Sequence, residues 1–264
     1  PASRARGVFT ASNGSHGVAV AYLARQLGIR CVVSVSSLVP PDKVAAIAAL
    51  DAELDVGGAD QDAAMQRAKE RAAREGLILV SPFDDPWVIA GQGTIGAEIL
   101  EDLPQVATIV MPLSGGGLAG GIAVAAKAIN PSVRIVAVGS ARCPAMLRSL
   151  QAGHPVRVTE QPSLTDSLGG GIDLENRYSF TLVQDLVDDV ELADEVEIIE
   201  ALRFAFFRLR LVLEGAAATP IAALLRRSPG GVAGPVVAVV TGDNVDTVAL
   251  CHILAGERPI WGFG

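Results

Sequence analysis

The chain has 264 residues, enough to bury the cores of one large or two modest α/β domains. Half of its residues are hydrophobic and 19% are charged, which excludes extensive disorder. The net charge of −8, with no basic run to neutralise phosphates, excludes nucleic acid as a main partner. From the amino end, short β-rich runs alternate with helical patterns. Gly7–Ser12 reads as a strand, His16–Leu27 as a helix and Cys31–Ser36 as the next strand. Pro41–Leu50 is a helix entered through proline, Asp60–Glu75 a polar amphipathic helix, and Leu77–Val80 a strand. Ile89–Leu103 reads as helix and stops before Pro104.

The second half repeats the alternation. Ala107–Leu113 is an apolar strand, Gly117–Ile129 a small-residue helix and Val133–Val138 a buried strand. Glu195–Leu211 reads as one long helix, Pro235–Val240 as a strand and Val245–Ala255 as a closing helix. This order predicts an α/β fold of two domains with mostly parallel sheets flanked by helices. The Ser81–Pro86 turn marks the expected boundary, giving domains 7–82 and 83–264. Cys31, Cys143 and Cys251 lack metal-ligand spacing and read as buried thiols of a cytoplasmic protein. The apolar stretches break off well short of a membrane span, so no membrane partner is expected. Pro1 opens the chain in a polar helix-end pattern, which reads as an N-terminally truncated fragment.

Ligands of open α/β sheets bind beyond the carboxyl ends of the strands, and three small-polar loops fall there. In Ala11-Ser-Asn-Gly-Ser-His-Gly17, hydroxyls, an amide and helix-start N–H groups suit a carboxylate; an ordinary cap by Ser12 or Asn13 is the plainer use. In Ser114-Gly-Gly-Gly-Leu118, successive glycines let N–H groups converge on a phosphate. The same stretch, Gly115-x-Gly117-x-x-Gly120, matches a dinucleotide fingerprint, although glycine there also serves tight packing. In Thr241-Gly-Asp-Asn-Val-Asp246, a strand-end hydroxyl could meet a heterocycle nitrogen, and a helix cap is the commoner use. Gly169-Gly-Gly171 could line the same cleft. His16 more often packs or bonds backbone than acts as a base. His154 and His252 lack partners at metal-ligand spacing. Asp84-Asp85 and Asp188-Asp189 read as solvated turn carboxylates, and Lys43 and Lys69 as residues of polar helix faces.

Taken in order and spacing, these loops resemble fold-type-II pyridoxal-phosphate (PLP) enzymes, the group of threonine and serine dehydratases and serine racemase, with a tryptophan synthase β-subunit-like fold. Val88-Ile-Ala-Gly-Gln-Gly-Thr-Ile95 is a further run typical of that group. Ser36-Ser-Leu-Val-Pro40, Pro82-Phe-Asp-Asp-Pro86, Pro112–Gly117 and Asp166–Ile172 resemble hydroxyectoine-utilisation dehydratases most closely. The resemblance implies PLP as cofactor, a homodimer, and loss of the α-proton and β-hydroxyl from a hydroxy amino acid such as threonine, serine or a hydroxyectoine-derived compound. It implies a small mobile domain before Pro82 and a large cofactor domain after it, with PLP between the two. It implies that Ser114, Gly115, Gly116, Gly117 and Leu118 cradle the cofactor phosphate, that Thr241 bonds the pyridine nitrogen, and that Glu214 and Ser15 frame the ring. Ser12, Asn13, Gly14, His16, Gly169 and Gly170 would then hold the amino-acid substrate, with Asn13 the candidate catalytic residue.

The sequence departs from that pattern in four ways. The Schiff-base lysine of the group lies upstream of the Asn13 loop, and the chain's three lysines, Lys43, Lys69 and Lys127, are not placed for the role. The chain as it stands is therefore expected to be inactive. Asn13 replaces a Ser or Thr that can carry a proton, which an amide cannot. Ser15 replaces an asparagine, and these two changes together put racemisation in greater doubt than elimination. Gly139 stands where serine racemase has a metal-binding glutamate, so no metal is expected by that route. The alternatives are a PLP-cleft binding module without chemistry, and an NADP-dependent reductase using Gly115-x-Gly117-x-x-Gly120. The reductase reading lacks the usual acid after Val138.

Overall fold

The computed structural model describes residues 6–12, 14–37, 41–58, 61–227 and 234–257. Asn13, Asp60 and the Leu38–Pro40 part of the Ser36–Pro40 motif lie outside the described residues. The chain divides into two compact units, Pro1–Pro82 and Phe83–Gly264. No helix among the described residues is long and apolar enough to cross a membrane.

In the first unit, β1 (Val8–Ala11), β2 (Cys31–Val35), β3 (Glu53–Val56) and β4 (Ile78–Leu79) form a parallel sheet in the order β3-β2-β1-β4. The Val-rich β2 is buried along its whole length, as a central parallel strand covered on both faces must be. Its helices are α1 (Ser15–Leu27), α2 (Pro41–Ala48) and α3 (Gln61–Glu75). The sequence did not mark β3, because its two carboxylates in four residues argue against a strand. It is an edge strand, where charge is tolerated and discourages further pairing. Its carboxylates are taken up by arginines: Glu53 pairs with Arg30 and Arg71, and Asp55 with Arg67 at 2.7 Å.

Glu75 closes this network, bonding Arg71 and Arg30 at 2.8 Å each. The two guanidiniums hold its carboxyl down to about 2, from an ordinary value of 4.5. A depressed carboxylate pKa adds stability that is present above the unfolded value and is lost as pH falls through the folded one. The unit should therefore lose stability between about pH 4.5 and about pH 2, less steeply at high salt. Urea melts against pH should show that slope flattened in Glu75→Gln; an unchanged slope would remove Glu75 from the account.

In the second unit, β5 (Thr108–Pro112), β6 (Arg134–Ser140), β7 (Asp189–Ala193) and β8 (Val236–Ala238) form a parallel sheet in the order β7-β6-β5-β8. Alternate side chains enter two cores. Ile109, Met111, Ile135 and Ala137 face one that includes Ile122, Phe180 and Val183. Val110, Val136 and Val138 face the other, with Ile198, Leu202, Ala218 and Ile221. The helices are α4 (Pro86–Asp102), α5 (Gly117–Ile129), α6 (Ala145–Ala152), α7 (Ser179–Leu186), α8 (Glu195–Phe204), α9 (Gly215–Arg226) and α10 (Thr247–Ala255).

The helix read over Glu195–Leu211 is α8 followed by a π turn over Ala205–Leu209, and Arg210 ends it in the left-handed region at φ 63°. No glycine marks that stop, so the apolar pattern overran it. Asp188 and Asp189 are not solvated turn carboxylates. Asp188 accepts from the Ile135 N–H at 2.7 Å and from Lys127 at 2.9 Å, and Asp189 opens β7 and pairs with Arg134. Burial alone would raise the Asp188 pKa, but the Ile135 N–H and Lys127 hold it below the usual range. Cys251 is exposed rather than buried, while burial pushes the Cys31 thiol up to about 11. Lys43, assigned to a polar face, is 4% exposed.

Candidate functional site

Both sheets share one topological feature. The chain leaves β1 towards β2 and β3, then returns to its other side at β4; it leaves β5 towards β6 and β7, then returns at β8. Such reversal opens a crevice at the carboxyl ends of the two strands flanking the switch. In each unit a loop predicted to bind a ligand follows the first of those strands.

In the first unit the loop follows β1. The Ser12 hydroxyl accepts from the Gly14 N–H at 3.2 Å, and α1 starts at Gly14 with no side-chain cap. Ser12 therefore shapes the loop instead of capping the helix. Gly17 is required for closeness: a Cβ there would lie 2.9 Å from the Ser12 carbonyl and 3.1 Å from Val33. Ser15 is exposed in the first turn of α1. The His16 ring lies 3.4 Å from the Val80 carbonyl, which also accepts from the Thr10 hydroxyl at 2.8 Å. The histidine thus borders the end of β4 and bonds backbone.

In the second unit the loop follows β5. Gly116, with φ at 91°, turns the chain into α5, which begins without a side-chain cap. No hydrogen bond among the described residues uses the N–H of Gly115 or Gly116. Uncommitted N–H groups at a helix start, with the positive end of its dipole behind them, are what a phosphate requires. The loop's chemistry therefore fits the PLP phosphate. Its glycines are needed for a second reason that the sequence did not reveal. A Cβ on Gly115 would overlap the Phe83 ring, and one on Gly117 would lie 2.7 Å from the Phe83 backbone. Gly120, the last glycine of the dinucleotide-like pattern, packs on Leu182, where a Cβ would lie 3.0 Å from that side chain. Leu118 packs partly into the core.

The fourth glycine run lies beside this loop. The Ser114 hydroxyl bonds the Leu168 carbonyl at 3.3 Å, and the buried Cys143 thiol bonds the Gly170 carbonyl at 3.3 Å. A narrow crevice is lined by Leu113, Ser114, Cys143, Met146, Leu168 and Gly170. Gly169 faces the Glu160 carboxylate. Thr241 lies beyond β8, exposed, and takes no part in capping α10, whose cap is Asp246. Glu214, 7% exposed, is tied to the same segment: its N–H bonds the Gly242 carbonyl at 3.1 Å, and a Cβ on Gly242 would lie 2.7 Å from its carboxylate. The ends of β5 and β8 thus carry Ser114–Leu118 on one side of the switch and Thr241 on the other.

Sequence reasoning missed the carboxylates that build this site. Asp85 caps α4, accepting from the Trp87 and Val88 N–H groups. Asp84 accepts from the N–H groups of Arg177, Tyr178 and Ser179. Neither is a solvated turn residue. The Asp85-Pro86 step was legible as a helix start. The partners of Asp84 lie more than ninety residues away and leave no local signal.

Residues 2–242 match the family model described as pyridoxal-phosphate dependent enzyme. Among curated proteins, a putative threonine dehydratase of Sinorhizobium fredii is 47% identical over 93% of the chain and 74% of its own length. An L-threonine ammonia-lyase of Geobacter sulfurreducens is 41% identical over 95% of the chain, which spans 62% of that relative. Among solved structures, maize serine racemase superposes with a TM-score of 0.83 at 30% identity, over 96% of this chain and 77% of that one. The processed threonine deaminase isoform 2 of Solanum lycopersicum gives 0.82 at 30% identity, over 97% and 75%.

Proposed function

Because the chain belongs to the family of pyridoxal-phosphate dependent enzymes, with its fold-type-II architecture, we propose that the complete protein is an ammonia-lyase that removes the β-hydroxyl of a hydroxy amino acid. The observation that carries this reading is the uncapped start of α5, where no hydrogen bond among the described residues uses the Gly115 or Gly116 N–H. Threonine dehydratases and ammonia-lyases among the relatives support the same reaction class. When bound, PLP supplies the electron sink for charge developing at the substrate Cα. The chain's own residues bind and orient. Gly115, Gly116 and the first turn of α5 hold the phosphate; the Thr241 hydroxyl meets the ring nitrogen; Glu214 and Ser15 frame the ring. Ser12, Gly14 and His16 engage the substrate carboxylate, Gly169 and Gly170 line its path, and Asn13 orients without carrying a proton.

In this proposal the first unit is the small mobile domain and the second the cofactor domain, the protein is a cytoplasmic homodimer, and the substrate is threonine, serine or a hydroxyectoine-derived amino acid. Among the lysines present, Lys43 is buried within α2 and Lys127 is paired with Asp188. Asn13 and Ser15, at positions where the group carries proton-handling and ring-facing residues, motivate a second reading in which PLP binds without turnover.

One assay separates the two. With PLP and L-threonine, the complete protein should release keto acid and ammonia in equal amounts, and the 264-residue chain alone should release none. PLP binding by the complete protein without release would favour the second reading. Ammonia release from the 264-residue chain would place the reacting lysine among Lys43, Lys69 and Lys127.

A further inference from the structure

The Ser114–Leu118 loop is held from outside by two residues that no ligand needs to touch. The Asp84 carboxylate sits at the amino end of α7, where Tyr178 provides no side-chain cap. One oxygen accepts from the Arg177 N–H at 2.8 Å; the other accepts from Tyr178 at 2.8 Å and Ser179 at 3.0 Å. Asp84 is thus the cap of α7, supplied from a distant part of the chain. An anion there is favoured by the helix dipole and satisfies N–H groups that would otherwise be orphaned.

Ser179, the first residue of α7, is buried, and its hydroxyl donates to the Gly115 carbonyl at 2.7 Å while accepting from Asn176 Nδ2 at 2.8 Å. The peptide joining Gly115 to Gly116 is planar and trans, so its N–H lies on the edge opposite its carbonyl. Holding the Gly115 carbonyl on Ser179 therefore turns the Gly116 N–H away from α7. Phe83, the neighbour of Asp84, closes the other side of the loop with its ring on Gly115 and its backbone on Gly117.

We propose that Asp84 and Ser179 act as positioning residues, a latch that presets the Gly116 N–H for the cofactor phosphate. Asp84 works through Ser179, which it holds at the head of α7. The inference rests on the PLP reading above and deepens it, adding two residues that touch neither cofactor nor substrate.

The test is PLP titration of the complete protein, with amide exchange over residues 113–119 in the cofactor-free state. Ser179→Ala removes one hydroxyl and should weaken PLP about tenfold, the equivalent of one hydrogen bond. The same variant should speed exchange at the loop. Asp84→Ala should weaken PLP at least as much. Asp84→Asn should recover part of the loss, since one oxygen can still accept from Tyr178 and Ser179. The double variant Asp84→Ala/Ser179→Ala should bind no more weakly than Asp84→Ala, because residues acting in series are not additive. If Asp84→Ala does not fold, Ser179→Ala and Asp84→Asn decide the matter. Ser179→Ala with wild-type PLP affinity and unchanged exchange would overturn the latch, as would additive losses in the double variant. A wild-type protein that fails to bind PLP would overturn the cofactor reading and the latch together; wild-type binding with unaffected variants would overturn the latch alone.

Discussion

Gly115→Asp is expected to weaken PLP binding by the complete protein roughly a hundredfold or more, through two separable causes. The first is charge: a carboxylate enters the place where N–H groups await a phosphate. The second is space: the new Cβ overlaps the Phe83 ring, whose Cδ2 lies 2.7 Å away. Overpacking of this kind costs roughly 1–3 kcal/mol, and part of it would be relieved by moving the loop. Gly115→Ala separates the two causes, since it keeps the overlap and omits the charge. It should lower stability by roughly 1–3 kcal/mol and PLP affinity about tenfold. Thermal unfolding and PLP titration check both variants. Gly115→Ala with wild-type values in both would mean that Phe83 yields freely, leaving charge as the only constraint on Gly115.

A second large effect is expected far from any ligand. The helices α4 and α5 approach through glycines, and this closeness explains the Val88–Ile95 run that the sequence marked only as typical of its group. A Cβ on Gly121 would overlap the Ile89 carbonyl and lie 2.9 Å from the Gly93 nitrogen; one on Gly96 would lie 2.7 Å from the Ile122 carbonyl. Backbone offers no flexible end to move aside. Gly121→Val should therefore cost about 3 kcal/mol or more, force α5 away from α4 and weaken PLP binding, because the cradle is the start of α5. Gly91→Ala on α4 is the matched control. Gly91 is exposed with nothing within 4 Å of a new Cβ, so alanine there should stabilise by roughly 0.5–1 kcal/mol. Denaturant melts should give opposite signs for the two substitutions; the same sign in both would contradict the packing argument.

The parts of the molecule legible in the sequence are those written in local pattern. Largely apolar runs marked β1, β2, β5 and β6 because strands covered on both faces carry near-continuous apolar stretches. The helix read over Gly117–Ile129 has those bounds in the structure, since a glycine loop and Asn130 delimit it. Elements went unmarked where local chemistry contradicted tertiary use. The two carboxylates of β3 disguised an edge strand, and Asp189 and Glu191 did the same for β7. In α9, Pro220 sits inside a helix otherwise rich in small residues, so Gly215–Arg226 did not read as one. The glycine loop after β5 was visible as a phosphate cradle because its signal is contiguous. Its supports were not, since Phe83 and Ser179 meet it, and Asp84 meets Ser179, only after the chain has folded back across distances no window spans.

The most direct measurement is an experimental structure of the complete protein with PLP added. Phosphate oxygens are expected within about 2.7–3.2 Å of the Gly115 and Gly116 nitrogens, with the Thr241 hydroxyl at the ring nitrogen. A PLP phosphate held anywhere other than the start of α5 would contradict this placement.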